Sequence, residues 1–469
     1  MRSLPQWAVA AAAAAGGGAL IAVLLRRWRE QVSGQAELYP GLQASCTVPS
    51  PRRSKPTAAD VIALGHVVIV GAGIVGLAIA NELARRGCEV TVLEKEMAAG
   101  TQATALSWAW INANSKKPKH YQRFNMLAMD LWNLMFPGYV NWCGSLLLNE
   151  NPKQEVDEYP CHKVEWSQVP DLQPGIACET LGGTSGTKSG CSYFPSEGIT
   201  EPHKVINEML RRAEARQVRL VYGATVTGFP WDIEGDVRGV TYVLHGSQGW
   251  DGPQTITADV VVLSNGTGVE QLAKSAGFKV PLLHKPGFLA HTEPVKDVVK
   301  RVIVSPNCHI LQRENGSLVI GESKEAGGAS SVAYAVDRYA HEGFRSNMPP
   351  ASHSEEQEDE ELAELSTFGH RALGAAKSIL PVIEEAKLSR VTCGYRPFPE
   401  DGLPVIGFCS SSCSTRSPGL YIAVMHSGIT LAPLAGAAAA LEIAEGLDLD
   451  LLAPYRVNRF TKIFKNKGL

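Results

Sequence analysis

The chain has 469 residues, 45% of them hydrophobic and 19% charged, which is room for two or three domains and ordinary for a soluble globular enzyme. Its net charge of −3 gives no ground for a nucleic-acid partner. The ten cysteines are scattered and form no Cys-x-x-Cys, which argues against a zinc site and for a reducing compartment.

Trp7 to Leu25 is a run of 19 uncharged residues, nine of them alanine and three glycine, followed by Arg26, Arg27 and Arg29. This is marginal hydrophobicity for a bilayer span. Two readings fit: an anchor that leaves the body on the arginine-rich side of a membrane, or a mitochondrial or plastid transit sequence, given that Glu30 is the first acid. Residues 1–60 are therefore read as leader and linker, with Pro40, Pro49, Pro51 and Pro56 in the linker. Membrane association, if the segment is an anchor, is expected to run through residues 7–25.

Residues 66–94 organise the rest. His66 to Val70 reads as a buried strand, Gly71-Ala72-Gly73-Ile74-Val75-Gly76 as a turn, Leu77 to Arg86 as a helix ended by Gly87, and Glu89 to Leu93 as a second strand closed by Glu94. This is the βαβ dinucleotide fingerprint. Gly71 permits the turn, Gly73 lets backbone approach a pyrophosphate, and Gly76 lets helix and strand pack closely. Ile74 and Val75 of the turn are cofactor-binding candidates, and the free N–H groups and positive end of the helix that follows suit a diphosphate. Glu94, 23 residues beyond Gly71, can accept a ribose hydroxyl and would repel a 2′-phosphate, so FAD or NAD fits better than NADP. In the stretch that follows, Lys95, Thr101 and Thr104 are candidates for a phosphate or ribityl groove.

Trp108, Trp110, Trp132 and Trp142 come next, read mainly as packing aromatics, with a wall over a flavin as the rarer use. Tyr121 to Trp132 has helical spacing, and 146–190 shows no clear period. Glu201 to Ala215 reads as a helix. Val218 to Tyr222, Ala224 to Phe229, Gly239 to Leu244 and Thr255 to Ala258 read as strands. Asp259 to Leu263 reads as a buried parallel strand, ending at Ser264-Asn265-Gly266 near the dinucleotide. Short alternating strands follow at Gly287 to Thr292, Arg301 to Val304, His309 to Gln312 and Ser317 to Gly321, predicting an antiparallel sheet. The acidic stretch 346–361 reads as a solvated loop, Leu362 to Ile379 as a helix stopped by Pro381, and Cys409 with Cys413 as part of a solvated serine-rich loop.

Near the C-terminus, Leu420 to Val424 reads as a strand running through Met425-His426-Ser427-Gly428 into a long alanine-rich helix. A second helix N-terminus thus follows a strand and can face a group that becomes negative, such as the pyrimidine edge of a reduced flavin.

Three features together resemble the D-amino-acid oxidase, glycine oxidase and sarcosine oxidase superfamily of FAD enzymes: Gly71-x-Gly73-x-x-Gly76 with Glu94, the R-P-x-x-x-D-G-L-P-x-I-G stretch from Arg396 to Gly407, and H-S-G-x-x-L-A-P-L-A-G from His426 to Gly436. They bracket residues 66–440. The resemblance implies an α/β fold with a Rossmann-like FAD domain and a second, mainly antiparallel, sheet-based substrate domain. The FAD domain would comprise 61–115, 191–280 and 388–469, and the substrate domain 116–190 and 281–387. It implies FAD as cofactor, a carboxylate-bearing amine as substrate, hydride transfer from its C–H bond to flavin N5, hydrolysis of the imine, and reoxidation by O2 or an electron carrier. Arg396 matches the arginine that forks onto the substrate carboxylate. Val226 matches a backbone contact to adenine, Gly266 the strand end near the cofactor, and His426, Ser427, Gly428, Ile429 and Thr430 the helix cap at the flavin.

There are departures. Val319 stands where sarcosine oxidases carry a lysine over the flavin. Cys393-Gly394-Tyr395 resembles the stretch that bonds flavin covalently in those enzymes, but its spacing to Asp401 is one residue longer. Two alternatives stay open: a dehydrogenase passing electrons to a quinone or carrier protein, and a flavin-bound assembly protein of a respiratory membrane. No second GxGxxG follows a strand, which disfavours a built-in NAD(P)H reductase.

Overall fold

A computed structural model of the chain describes residues 65–148, 158–178, 191–233, 235–245, 252–322, 355–409 and 419–460. Residues 1–64, which include the leader and linker, lie outside them. Among the described residues no helix is long and apolar enough to cross a membrane.

One sheet has six strands: β1 (His66–Val70), β2 (Glu89–Leu93), β3 (Arg219–Val221), β4 (Val260–Leu263), β5 (Val405–Phe408) and β6 (Leu420–Val424), in the order β5-β6-β4-β1-β2-β3. All pairs are parallel except β5 with β6. β1 is central and almost wholly buried, so its run of Val and Ile has no polar alternation: both faces meet core. Val67 and Ile69 pack with the helices α1 (Ile74–Arg85), α2 (Lys119–Met135), α3 (Pro202–Ala215) and the C-terminal α6 (Gly428–Ala444). Val68 and Val70 pack on the opposite face with Val226, Val240 and Tyr242 of a three-stranded antiparallel meander, Ala224–Gly228, Gly239–Leu244 and Gln254–Thr257. Each such aliphatic side chain contributes about 1.5–3 kcal/mol on full burial. The alanines of α1 and α6 let the two helices touch backbone to backbone: a Cβ at Gly436 would lie 2.7 Å from the Ala78 carbonyl oxygen.

A second sheet has eight strands, in the order Leu388–Pro399, Leu282–Pro294, Ser317–Glu322, Cys308–Gln312, Val302–Val304, Ser145–Leu147, Cys191–Phe194, His162–Val164. It is antiparallel apart from the parallel pair Val302–Val304 with Ser145–Leu147. One face is covered by α5 (Glu355–Ile379), whose Phe368, Ala372 and Ala376 pack against a cluster holding Phe288, Ile310 and Ile320. Between α3 and α5, the short helix α4 (Val269–Ser275) follows β4.

The mixed α/β architecture is as expected from the sequence, and several local readings are corrected. Residues 355–361, expected in an acidic loop, belong to α5, because glutamate is a good helix former; 346–354 lie outside the described residues. Cys409 is buried, its N–H donating to the Leu420 carbonyl, whereas Cys413 lies outside the described residues. Leu388–Pro399, read only as a motif, is a 12-residue strand. Both it and Cys191–Phe194 pair in the eight-stranded sheet, although the sequence grouped them with the nucleotide-binding segments.

Candidate functional site

The β1–α1 turn is shaped by what its glycines exclude. Gly71 has φ +100°, and a Cβ there would lie 2.8 Å from Asn265 Cα. A Cβ at Gly76 would lie 2.0 Å from the Gly71 carbonyl oxygen, so α1 can sit on the turn only without a side chain at that position. At Gly73 the nearest atom to a Cβ is Thr104 Oγ1 at 3.5 Å, and at Gly266 nothing lies within 4 Å. Packing therefore demands two of these glycines, while Gly73 and Gly266 front open space. Ile74 N–H donates to Thr104 Oγ1 at 3.2 Å, and Val75 follows in the same first turn. The side chain of Asn265, between Gly266 and β4, leaves Oδ1 buried without a partner among the described residues. An open cradle at a helix N-terminus with an orphaned buried acceptor beside it fits a dinucleotide.

Glu94 ends β2 with its carboxylate turned back. Oε2 accepts from Ala72 N–H at 2.7 Å and Oε1 from Glu96 N–H at 3.0 Å. Burial pushes its pKa up, and those two donors pull it back. Each oxygen keeps a second lone pair, so a ribose hydroxyl can still be accepted. Lys95 points outward, 3.5 Å from Glu96 Oε1, and Thr101 is half-buried on the loop that carries Thr104. Val226 lies on the meander, two residues after Ala224, whose N–H donates to the Glu94 carbonyl.

The second helix end is brought to the first. A Cβ at Gly428 would lie 3.5 Å from Val75 Cγ2, so the start of α6 abuts the start of α1. Ser427 is the N-cap residue of α6 but makes no capping hydrogen bond. Behind the first turn, Trp132 Nε1 donates to the carbonyls of Ile429 (3.1 Å) and Thr430 (3.0 Å), and Thr430 Oγ1 reaches the Trp110 carbonyl at 3.4 Å. His426 is exposed, its ring 4.7 Å from that of Phe398.

Phe398 ties this turn to the eight-stranded sheet. Along Leu388–Pro399 alternate residues share a face, so Arg396 lies on the same side as Gly394 and Phe398. A Cβ at Gly394 would meet Leu106 Cβ at 2.7 Å, which places that face against the loop after β2. The Arg396 guanidinium lies over Gly287, and among the described residues no carboxylate pairs with it, although it is close enough to His309 to lower that imidazole's pKa. Burial lowers the His309 pKa to about 4, with Arg396 adding to the effect, so the ring is neutral near pH 7. The Nε1 atoms of Trp108 and Trp110 are buried without partners among the described residues. Trp108 lies beside His309, rings 5.9 Å apart, and against Gly321. Trp132, by contrast, is core.

Cys393 faces the other way. With Val391 it packs on the cluster around Phe288 and Phe368, under α5, and burial pushes its thiol up to about 12. The position facing the Arg396 side is Gly394. Val319 is fully buried. Among the described residues no three His, Cys, Asp or Glu side chains are grouped to hold a metal.

Sequence reasoning missed a polar cluster next to α6. Glu197 is fully buried and accepts from Asn114 N–H (3.2 Å), Asn114 Nδ2 (2.7 and 2.8 Å), Ser145 Oγ (2.5 Å) and Tyr159 OH (2.7 Å). Two residues after Asn114, Lys116 Nζ donates to Ser427 Oγ at 3.0 Å, and Tyr121 OH donates to the same oxygen at 3.1 Å. Lys116 and Ser427 are 311 residues apart, and nothing in a run of three lysines, Lys116, Lys117 and Lys119, singles one out.

A family model described as FAD dependent oxidoreductase matches residues 66–441. The chain is 24% identical over 420 residues to the bifunctional protein ThiO/ThiG of Trichormus variabilis, covering 84% of this chain but 55% of that protein, so it spans about half the length of that relative. It is 23% identical over 418 residues to a glycine oxidase of Geobacillus kaustophilus, covering 84% of this chain and 96% of that one. Among solved structures, the L-proline dehydrogenase from P. horikoshii superposes with a TM-score of 0.64 at 21% identity, over 85% of this chain and 98% of that one, a likeness of fold.

Proposed function

The chain belongs to the FAD-dependent oxidoreductase family, with FAD as its cofactor, and from that premise we propose that it oxidises the C–N bond of an amino acid or secondary amine bearing a carboxylate. FAD, when bound, would supply the two-electron acceptor for that oxidation. In this reading residues of 61–115, 195–280 and the C-terminal segment after 399 hold the cofactor, and the eight-stranded sheet, Cys191–Phe194 included, holds the substrate. The first turn of α1 with Thr104 takes the diphosphate, Glu94 the ribose, and Val226 the adenine. Ser427 and the first turn of α6 take the pyrimidine edge.

One observation carries the substrate class. Arg396 presents a guanidinium with no carboxylate partner among the described residues, on the sheet face that meets the loop after β2 and next to Phe398 and the His426 turn. A fixed cation of this shape suits a carboxylate forked onto two donors. Trp108 and neutral His309 line the same face as apolar and uncharged neighbours, which suits an amine that must lose its proton before hydride leaves.

The test is anaerobic mixing of the yellow protein with glycine, sarcosine, D- and L-amino acids and larger N-alkyl amino acids while flavin absorbance is followed. At least one should bleach it. Arg396→Met should slow that bleaching at subsaturating substrate by roughly ten- to a hundredfold, the cost of a charged hydrogen-bonded contact. Bleaching by no carboxylate amine, or an unchanged rate in the variant, would return the protein to the assembly-factor reading. Val319, buried where an oxygen-activating lysine is expected by resemblance, favours an electron carrier over oxygen as acceptor. Dye reduction outpacing peroxide formation in air would bear that out.

A further inference from the structure

We propose that Lys116 is a positioning residue for the cofactor. By donating to Ser427 Oγ, its ammonium makes the Ser427 hydroxyl a donor at the start of α6 and sets a positive charge behind it, so that the protein favours negative charge on the flavin there. The inference rests on the placement of the flavin at α6 given under Proposed function.

The first support is a hydrogen count. A hydroxyl has one proton to give and two lone pairs. Lys116 Nζ and Tyr121 OH both donate to Ser427 Oγ. Both lone pairs are then used, which explains why a serine at an N-cap makes no capping bond to its own helix. The Ser427 proton has no recorded acceptor among the described residues and is left, with the free N–H groups of Gly428, Ile429 and Thr430, for an acceptor outside the helix.

The second support is how Lys116 is delivered. Asn114 is fixed by three hydrogen bonds to fully buried Glu197, and Ser115 has φ +56°, a left-handed conformation uncommon for a residue with a side chain. A pinned residue followed by a strained one throws the next side chain toward Ser427.

The third is electrostatic cost. A cation at a helix N-terminus opposes the positive end of the dipole. Burial adds to this, lowering the Lys116 pKa to about 8 although Glu197 pulls it up. Charge placed so unfavourably is stabilised once an electron-rich edge sits before it.

The test uses the FAD-loaded protein and reads two properties that a merely structural lysine would leave unmoved: the two-electron midpoint potential of the flavin, and its affinity for sulfite, followed by bleaching. Lys116→Met should shift the potential negative and weaken sulfite binding by roughly ten- to a hundredfold, the worth of a charge-assisted contact. Ser427→Ala should move both in the same direction. Lys117→Met, the loss of an exposed neighbouring charge, should leave both unchanged. Lys116→Met that takes up FAD and keeps the parent's potential and sulfite affinity overturns the proposal. Should Lys116→Met take up no FAD, Ser427→Ala decides: parental values in that variant overturn it equally. A parent protein that never binds FAD is a separate result and strikes the placement of the flavin instead.

Discussion

The residues of the site divide into those whose identity is forced by neighbours and those whose charge is left unspent. Gly71 and Gly76 are of the first kind, Arg396 and Lys116 of the second. His309 and His291 are a third: both lie part-buried on the eight-stranded sheet, and burial together with nearby arginines lowers each pKa to about 4 from an ordinary 6.5. In that interval the unfolded chain binds protons the folded chain refuses, so stability is full above pH 6.5 and falls as the pH drops toward 4. His309→Asn should make the fall in urea midpoint between those pH values shallower, and Arg396→Met should do so in part, by removing one cause of the depression.

At the scale of elements, the two helix N-termini can be tested separately from the packing that brings them together. Gly73→Ala adds a methyl that meets only Thr104 Oγ1 at 3.5 Å, so the fold should keep its stability within about 1 kcal/mol while FAD affinity drops by about tenfold or more. Gly76→Ala adds the same methyl 2.0 Å from the Gly71 carbonyl, and should lose roughly 1–3 kcal/mol of stability together with FAD. Thermal denaturation of the apoprotein separates the two. Elements whose pattern is local were legible beforehand. β6 matches its expected bounds, as does the Gly239–Leu244 strand, and β1 and α1 follow from a motif whose every glycine has a steric reason. Three-residue strands such as Ser145–Leu147 and His162–Val164 were not legible, because partners remote in sequence, and not their own composition, hold them extended. The same applies to Lys116 and Glu197: each becomes notable only through atoms that folding brings from elsewhere. Arg396 was found because its motif surrounds it, and its pairing register with Lys285 could not have been read.

For the molecule as a whole, the face on which a side chain stands decides what it can reach. Cys393 stands under α5, opposite the face that meets the loop after β2, and burial keeps its thiol protonated. FAD should therefore come off in the supernatant when the protein is precipitated with acid; yellow colour retained in the pellet would show a covalent bond and a different orientation of that strand.

The order of strands in the six-stranded sheet carries a further implication for synthesis. β4 lies between β1 and β6, and β6 is made only at residues 420–424. On the ribosome, some 150 residues are translated after β4 while its outer rim stays bare, an invitation to mispairing. The side of the nucleotide cradle that β6 and α6 supply exists only once β6 has been made, so a nascent chain that stops short of it carries an unpaired strand rim.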